Sequence, residues 1–370
     1  MADTYRNYFA AICAGFKLNI SKTEALIDYF GDECKAYEAA YEALAATGLF
    51  TKSRLERIIA ERDRNLPSKI AAFCKRENAR IVTYRDKEYP LPLRSILNPP
   101  KVLYVKGSMI CDGNLIGIVG SRKASAYGLK AARLFAKDLS AAGISIVSGG
   151  ARGIDTAAHC GALEGTAPTV AVFGCGLDIA YPHENERLFA KIAEHGAIIT
   201  EFLPGTKPLP NNFPARNRII SGLVKGVLVV EAAKKGGAMI TAEFALDEGR
   251  EVYCLPGSIF SPTSAGPNAL IKQGARLVDR PEDILEDFQL FLPKSKEEMN
   301  DGIGLFDKVM TANRTEVKAI IDNLDFNEAK TVEEIVESTG LPPGVAASAL
   351  LELKLAGAVM EQAGRRFLKQ

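Results

Sequence analysis

At 370 residues the chain is too long for one small domain and fits two or three. Its 47% hydrophobic and 25% charged residues are ordinary for a globular chain with a sizeable core, and no apolar run nears the ~20 residues that span a bilayer. With 46 basic against 45 acidic residues the net charge is +1, which excludes a basic coat over the whole surface and makes any polyanion site local.

The first six residues lack the basic-then-apolar order of a secretory signal, so membrane and export readings drop out. Seven cysteines without a CxxC, and three histidines that do not cluster with them, argue against a disulfide framework or a zinc site. Reduced thiols in a cytoplasmic protein without metal or cofactor are expected.

Residues 1–80 read as a helical module of the SAM or helix-hairpin-helix kind. Ala25, Leu26, Tyr29 and Phe30 form one apolar series, Leu55, Ile58 and Ile59 another, and Gly31 and Gly48 stand where helices would end. The segment Thr47-Gly48-Leu49-Phe50-Thr51-Lys52 resembles a hairpin connection, which can offer backbone amides to phosphates. A plain packing module fits the balanced local charge equally well.

Two β-prone runs, 81–84 and 102–105, flank a proline-rich bridge and extend the sheet of the domain that follows. That domain, 81–288, carries short apolar runs at 115–119, 144–147, 169–173, 197–199, 227–230, 251–254 and 276–278. Runs this rich in β-branched residues suit strands buried on both faces of a mostly parallel sheet. Amphipathic helices lie between them, one marked by Leu129, Ala132, Ala136 and Leu139. The alternation predicts an α/β, Rossmann-like, doubly wound domain.

Residues 289–305 read as a solvated linker and 306–370 as a winged-helix domain. In the latter, Thr331 caps a helix that Gly340 ends, Pro342-Pro343 opens a second, and two wing strands surround Gly364.

Open parallel sheets bind ligands at the carboxyl ends of their strands. The first strand is followed by Gly120-Ser121-Arg122-Lys123 and the second by Ser148-Gly149-Gly150-Ala151-Arg152-Gly153-Ile154-Asp155. Glycine admits a close phosphate, a helix start supplies amides, and arginine supplies a bidentate fork. Charge agrees. Residues 113–137 hold five basic residues and no acid, and 202–230 hold four, Lys207, Arg216, Arg218 and Lys225, again with none. The second window also places Phe213 among asparagines and arginines, a stacking surface beside phosphate donors. No GxGxxG stands at the first turn and no glycine precedes a lysine, which demotes dinucleotide redox chemistry and P-loop hydrolysis. Neither Cys175 nor Ser148 has a histidine clearly placed to activate it.

These turns, with Tyr181-Pro182, Phe213-Pro214-Ala215-Arg216-Asn217-Arg218-Ile219-Ile220 and Lys235-Gly236-Gly237-Ala238-Met239-Ile240-Thr241-Ala242, together resemble the DNA-processing protein A family (DprA, or Smf) in order and spacing. The resemblance implies a bacterial cytoplasmic, non-catalytic protein. Such a protein binds and protects single-stranded DNA in natural transformation and homologous recombination. It loads RecA onto the strand, displacing or working around single-strand binding protein, and acts as a homodimer. Carried onto this chain, the DNA-binding set is Gly120, Ser121, Arg122, Lys123, Gly149, Gly150, Ala151, Arg152, Gly153, Lys207, Phe213, Arg216, Asn217 and Arg218. Some relatives carry a lysine just before the aromatic; here Pro210-Asn211-Asn212 stands there, and Lys207 is the candidate for that contact.

The C-terminal unit has nine acidic and seven basic residues from 311 to 370. The helix after Pro343 is mostly alanine and leucine, so protein contacts or weak duplex binding are expected of it, not sequence readout. An alternative of another class is a nucleoside-monophosphate phosphoribohydrolase-like enzyme, whose Pro-Gly-Gly-x-Gly-Thr-x-x-Glu signature is approached by residues 235–243 with Thr241 and Glu243 nearby. A third is a mononucleotide sensor.

Overall fold

The computed structural model describes residues 2–109, 113–291, 314–324, 329–355, 359–362 and 366–369. Of the predicted linker 289–305, residues 289–291 are instead the end of a helix, Glu282–Phe291, and the rest, together with Cys111, Gly357, Ala358, Gly364 and Arg365, lies outside the described residues. The chain divides into two compact units, Met1–Phe288 and Gln289–Gln370.

The first unit opens with six helices: α1 (Ala2–Phe16), α2 (Ile20–Phe30), α3 (Glu33–Glu38), α4 (Tyr41–Ala46), α5 (Lys52–Glu61) and α6 (Leu66–Glu77). Gly31 closes α2 at φ +83°, and Gly48 turns the chain between α4 and α5 at φ +65°, conformations that favour glycine. Arg54 on α5 donates to the carbonyls of Phe16 and Lys17 at 3.0 and 2.7 Å, so this cation of the hairpin is spent on tying α5 to the end of α1.

Nine strands follow: β1 (Ala79–Thr83), β2 (Val102–Gly107), β3 (Leu115–Val119), β4 (Ser145–Ser148), β5 (Thr169–Val172), β6 (Ala197–Thr200), β7 (Gly226–Val229), β8 (Glu251–Cys254) and β9 (Arg276–Leu277). They form one sheet in the order β1-β2-β6-β5-β4-β3-β7-β8-β9. Strands β3 to β9 are mutually parallel, and β1 and β2 add an antiparallel edge. The interleaved helices are α7 (Leu91–Arg94), α8 (Ala126–Ala141), α9 (Ile154–Ala162), α10 (Glu186–His195), α11 (Asn212–Leu223), α12 (Gly237–Asp247), α13 (Ala265–Lys272) and α14 (Glu282–Phe291).

The alternation of side chains along each strand explains how one sheet carries several cores. Leu115 and Val119, Val170 and Val172, Val227 and Val229, and Val252 and Cys254 face one way, against Leu93, Ile219, Leu223, Ala242 and Leu270. Their neighbours Ile116, Ile118, Ile146, Leu228 and Tyr253 face the other way, against Phe135, Leu139, Ala158, Ile284 and Phe288. Further along that face Tyr104, Ala171 and Ile198 meet Ile192 of α10 and the N-terminal helices through Phe9, Phe16, Leu26 and Tyr37. On α8 the buried stripe includes Ala132, Ala136 and Leu139 as expected. Leu129, at its margin in the first turn, is 39% exposed, and Ala131 and Phe135 complete the stripe instead.

In the second unit, helices Arg314–Asn323, Val332–Thr339 and Pro343–Leu355 accompany a three-stranded antiparallel sheet of Lys330–Thr331, Arg366–Lys369 and Val359–Gln362, a winged-helix domain. Thr331 and Glu334 form a reciprocal capping box, and Gly340 ends that helix at φ +69°. Ile320, Ile335, Leu350, Leu353 and Phe367 make its core.

Candidate anion-binding site

The strand order reverses at β3, with β4, β5 and β6 on one side and β7, β8 and β9 on the other. In a doubly wound sheet the crevice at such a reversal is where ligands sit. A cavity of about 530 Å³ opens there, between the turn after β3, the turn after β4, the start of α11 and the segment entering α12.

Close backbone approach builds the rim. A Cβ on Gly120 would stand 2.5 Å from Ile154 Cγ1 and 2.9 Å from the Glu231 carbonyl, and one on Gly153 (φ +75°) would stand 2.3 Å from the Ser121 carbonyl. The two glycine turns therefore interlock, and no other side chain fits either place. The amides of Ser121, Lys123, Ala151 and Ile154 are committed to Glu231 O, Ser121 Oγ, Asp155 Oδ2 and Ser121 O. Charge at the rim thus comes from side chains rather than from those four helix-start amides.

Arg122 and Lys123 are exposed, and among the described residues neither has a carboxylate within ion-pair distance. The Arg122 guanidinium lies 4.8 Å from the centre of the Phe213 ring. That ring, half-buried at the start of α11, is 5.7 Å from the Tyr181 ring at an interplanar angle of 38°. Gly174 makes room for Phe213, since a Cβ there would stand 2.9 Å from its Cδ1. A cation, a ring and a second ring thus form one continuous wall of the cavity, a surface suited to a phosphate beside a base.

The remaining predicted residues divide. Gly120, Ser121, Arg122, Ala151, Phe213, Arg216 and Asn217 line the cavity. Arg216 is 4% exposed; its Nη1 donates to the carbonyls of Gly149 (2.7 Å) and Val172, and its Nε to Asn217 Oδ1 at 3.2 Å. A Cβ on Gly149 would stand 2.5 Å from this guanidinium and 2.6 Å from Asp155 Oδ2, so Gly149 is what lets both charges enter. Burial pulls Arg216 down to about 10, with Asp155 opposing and Arg122 adding, and burial raises Asp155 against the pull of Arg216. Gly150 and Gly153 shape the turn. Arg152 pairs with Glu184 at 2.5 Å on the surface, Arg218 pairs with Glu201, and Lys207 is exposed on the loop before α11.

Six contributors stand outside the predicted binding set. Tyr181 carries a recognisable dipeptide but gave no sign of stacking on Phe213. Asp155, Gly236, Gly237 and Thr241 also line the cavity. Glu231, 2% exposed, accepts from Ser125 N (2.8 Å), Ser125 Oγ (2.6 Å) and Thr263 Oγ1 (3.1 Å). Its only sequence signal is an acid directly after the apolar run of β7.

The groups weighed for nucleophilic catalysis are internally spent. Ser148 Oγ donates to Ile118 O at 2.6 Å, and burial pushes the Cys175 thiol, which donates to Ile179 O, up to about 11. His159 pairs with Thr169 Oγ1 at 2.8 Å. Glu243 is exposed and does not line the cavity, whereas Thr241 does. Among the described residues no helix is long and apolar enough to cross a membrane.

Comparison with known proteins places these features. Residues 80–289 match the family described as DNA recombination-mediator protein A, and residues 315–365 match the DprA winged helix domain. Protein Smf of Escherichia coli K12 is 38% identical over 322 residues, 85% of this chain and 83% of its own. The DNA processing protein DprA of Bacillus subtilis 168 is 42% identical over 224 residues, 60% of this chain and 75% of its own. Among solved structures, DNA processing protein A of Streptococcus pneumoniae matches with TM-score 0.64 and 34% identity over 76% of this chain and 97% of that one. DNA processing protein A of Helicobacter pylori, described for its single-stranded DNA binding mode, matches with TM-score 0.52 and 28% identity over 56% and 95%.

Proposed function

Because the chain belongs to the DNA recombination-mediator protein A (DprA/Smf) family, we propose that it binds single-stranded DNA along the strand-end cavity, protects it and loads RecA onto it. The observation that carries the binding step is the wall of Arg122, Phe213 and Tyr181 at the sheet's reversal point. An unpaired guanidinium meets a phosphate while the rings meet a base, which favours a strand whose bases are free to stack. The fourteen residues expected at the DNA site then split by role. Ser121, Arg122, Lys123, Lys207 and Phe213 face the strand; Gly120, Gly149, Gly150, Ala151 and Gly153 shape its bed; Arg216, Asn217 and Arg218 hold the bed in place, with Arg152 at its margin.

The same reading takes the protein as a cytoplasmic, non-catalytic homodimer that works beside single-strand binding protein. The exposed position of Glu243 supports the non-catalytic part against a phosphoribohydrolase. Fluorescence anisotropy with a labelled oligonucleotide and its duplex, across a salt series, tests the binding step. The wild type should prefer the single strand, and Arg122→Ala should weaken binding for every sequence and flatten the salt dependence by ~0.7, the share of one contact. Equal binding of both forms, or no change on the substitution, would remove the reading. Stimulated RecA filament formation on strands coated with single-strand binding protein tests the loading step.

A further inference from the structure

The turn that carries Arg122 is gripped at both ends by one residue. At its start, Ser121 N donates to the main-chain carbonyl of Glu231 at 2.7 Å; at its end, Ser125 N and Ser125 Oγ donate to the Glu231 carboxylate at 2.8 and 2.6 Å. Thr263 Oγ1 adds a third donor from the loop after β8, at 3.1 Å. The carboxylate is seated beneath α8 where only a glycine fits, since a Cβ on Gly128 would stand 2.4 Å from Glu231 Oε2. A carboxylate this buried is costly unless its lone pairs are satisfied, and here every donor named belongs to the turn or to the loop that backs it.

We infer that Glu231 is the positioning residue of the DNA site: it does not touch the strand but fixes the Ser121–Ser125 turn so that Arg122 stays over Phe213. This rests on the proposed DNA-binding role of Arg122. Ser125 serves twice, because its hydroxyl also accepts from Gly128 N at 3.1 Å as the N-cap of α8. Losing the carboxylate therefore frees the turn and the first turn of that helix together.

The test compares Glu231→Met, which keeps side-chain length but cannot accept, with Glu231→Gln, whose oxygen still accepts from Ser125 N while its amide donates to the two hydroxyls. In the DNA-free protein, amide hydrogen exchange at Ser125 and Gly128 should accelerate in Glu231→Met and return towards wild type in Glu231→Gln, while Ser121, held by the main-chain carbonyl of residue 231, stays protected. With a labelled single-stranded oligonucleotide, Glu231→Met should lose affinity and reduce the salt slope by the same ~0.7 as Arg122→Ala, with no further loss in the double variant. If Glu231→Met does not fold, Ser125→Ala is read by the same two measurements. Unchanged exchange, or an unchanged slope beside a reduced one in Arg122→Ala, overturns the inference while leaving the DNA site intact. Faster exchange with no effect of Arg122→Ala on binding instead overturns the DNA role of the turn.

Discussion

The two acid-free windows of this sequence look alike in composition and behave differently in the fold. In the first, residues 113–137, the turn after β3 leaves Arg122 and Lys123 exposed, with Arg122 turned onto an aromatic ring. In the second, 202–230, Arg216 is buried against the Gly149 and Val172 carbonyls, Arg218 is paired with Glu201, and Lys225 donates to Asn114 at 2.6 Å. Only Lys207, ahead of α11, is left exposed. A local excess of basic residues therefore has two uses here. One leaves charge exposed at the cavity rim, and the other turns it inward, onto two carbonyls, a carboxylate and an amide oxygen.

The sharpest way to break this contrast is to remove one cation from each window. Arg216→Met should destabilise the first unit by about 2–5 kcal/mol, because it takes the donor from the buried Gly149 and Val172 carbonyls and removes the cation that opposes the rise of Asp155. Arg122→Ala should cost under about 1 kcal/mol, the worth of an exposed cation over a ring. Denaturant unfolding monitored by fluorescence or circular dichroism reads both. Equal costs would mean that the two windows share one role.

The inward charge also reaches His159. Thr169 Oγ1 donates to Ile146 O and so accepts from His159 Nδ1, leaving Nε2 buried with no partner among the described residues. Burial first, and the charge of Arg216 second, pull this imidazole from its ordinary 6.5 down to about 3. The folded chain then keeps the ring neutral while the unfolded chain takes up a proton below pH ~6.5. The stability His159 contributes is complete above that value and falls as pH drops towards 3, by up to ~1.4 kcal/mol per pH unit. Between pH 6.5 and 5, before most carboxylates titrate, His159→Asn should flatten the fall in melting temperature. An unchanged profile would show that the ring is solvated in the native state.

How much of this was legible follows from the range of the interactions. The parallel sheet was readable because each strand writes its own burial on both faces, as Val170-Ala171-Val172 does. The glycine turns were readable because strand ends and helix starts adjoin in sequence. The direction of Arg216 was not, since its acceptors at Gly149 and Val172 lie 67 and 44 residues away. Glu231 was hidden for the same reason. Its donors at Ser125 and Thr263 are 106 and 32 residues distant, so in sequence it is an acid that could as well end a strand in solvent.

On the outward side, Phe213→Ala should reduce single-strand affinity by about 1–3 kcal/mol if the ring stacks on a base. It also removes the surface under Arg122, so the effect should exceed that of Tyr181→Ala, whose ring lies one place further along the wall. Reversal of that order would make Tyr181 the principal platform and Phe213 a support for it.

The smallest effect is expected from the winged-helix domain. A helix that reads a major groove brings arginines, lysines or amides to its exposed face. Along Pro343–Leu355 the exposed described positions are Pro343, Gly344, Ala347, Ser348 and, in the last turn, Lys354, while Ala346, Ala349, Leu350 and Leu353 are buried in the domain's own core. One lysine among small side chains is a sparse set of base-edge donors for such a helix. The first unit has cores of its own, so a chain ending at Phe288 can be compared directly with the full chain. Its single-strand affinity should stay within about twofold, since the phosphate contacts proposed for the strand all lie before residue 288. A tenfold loss, or tight duplex binding by the full chain that truncation abolishes, would make the winged helix a second DNA-binding element despite its few described cations.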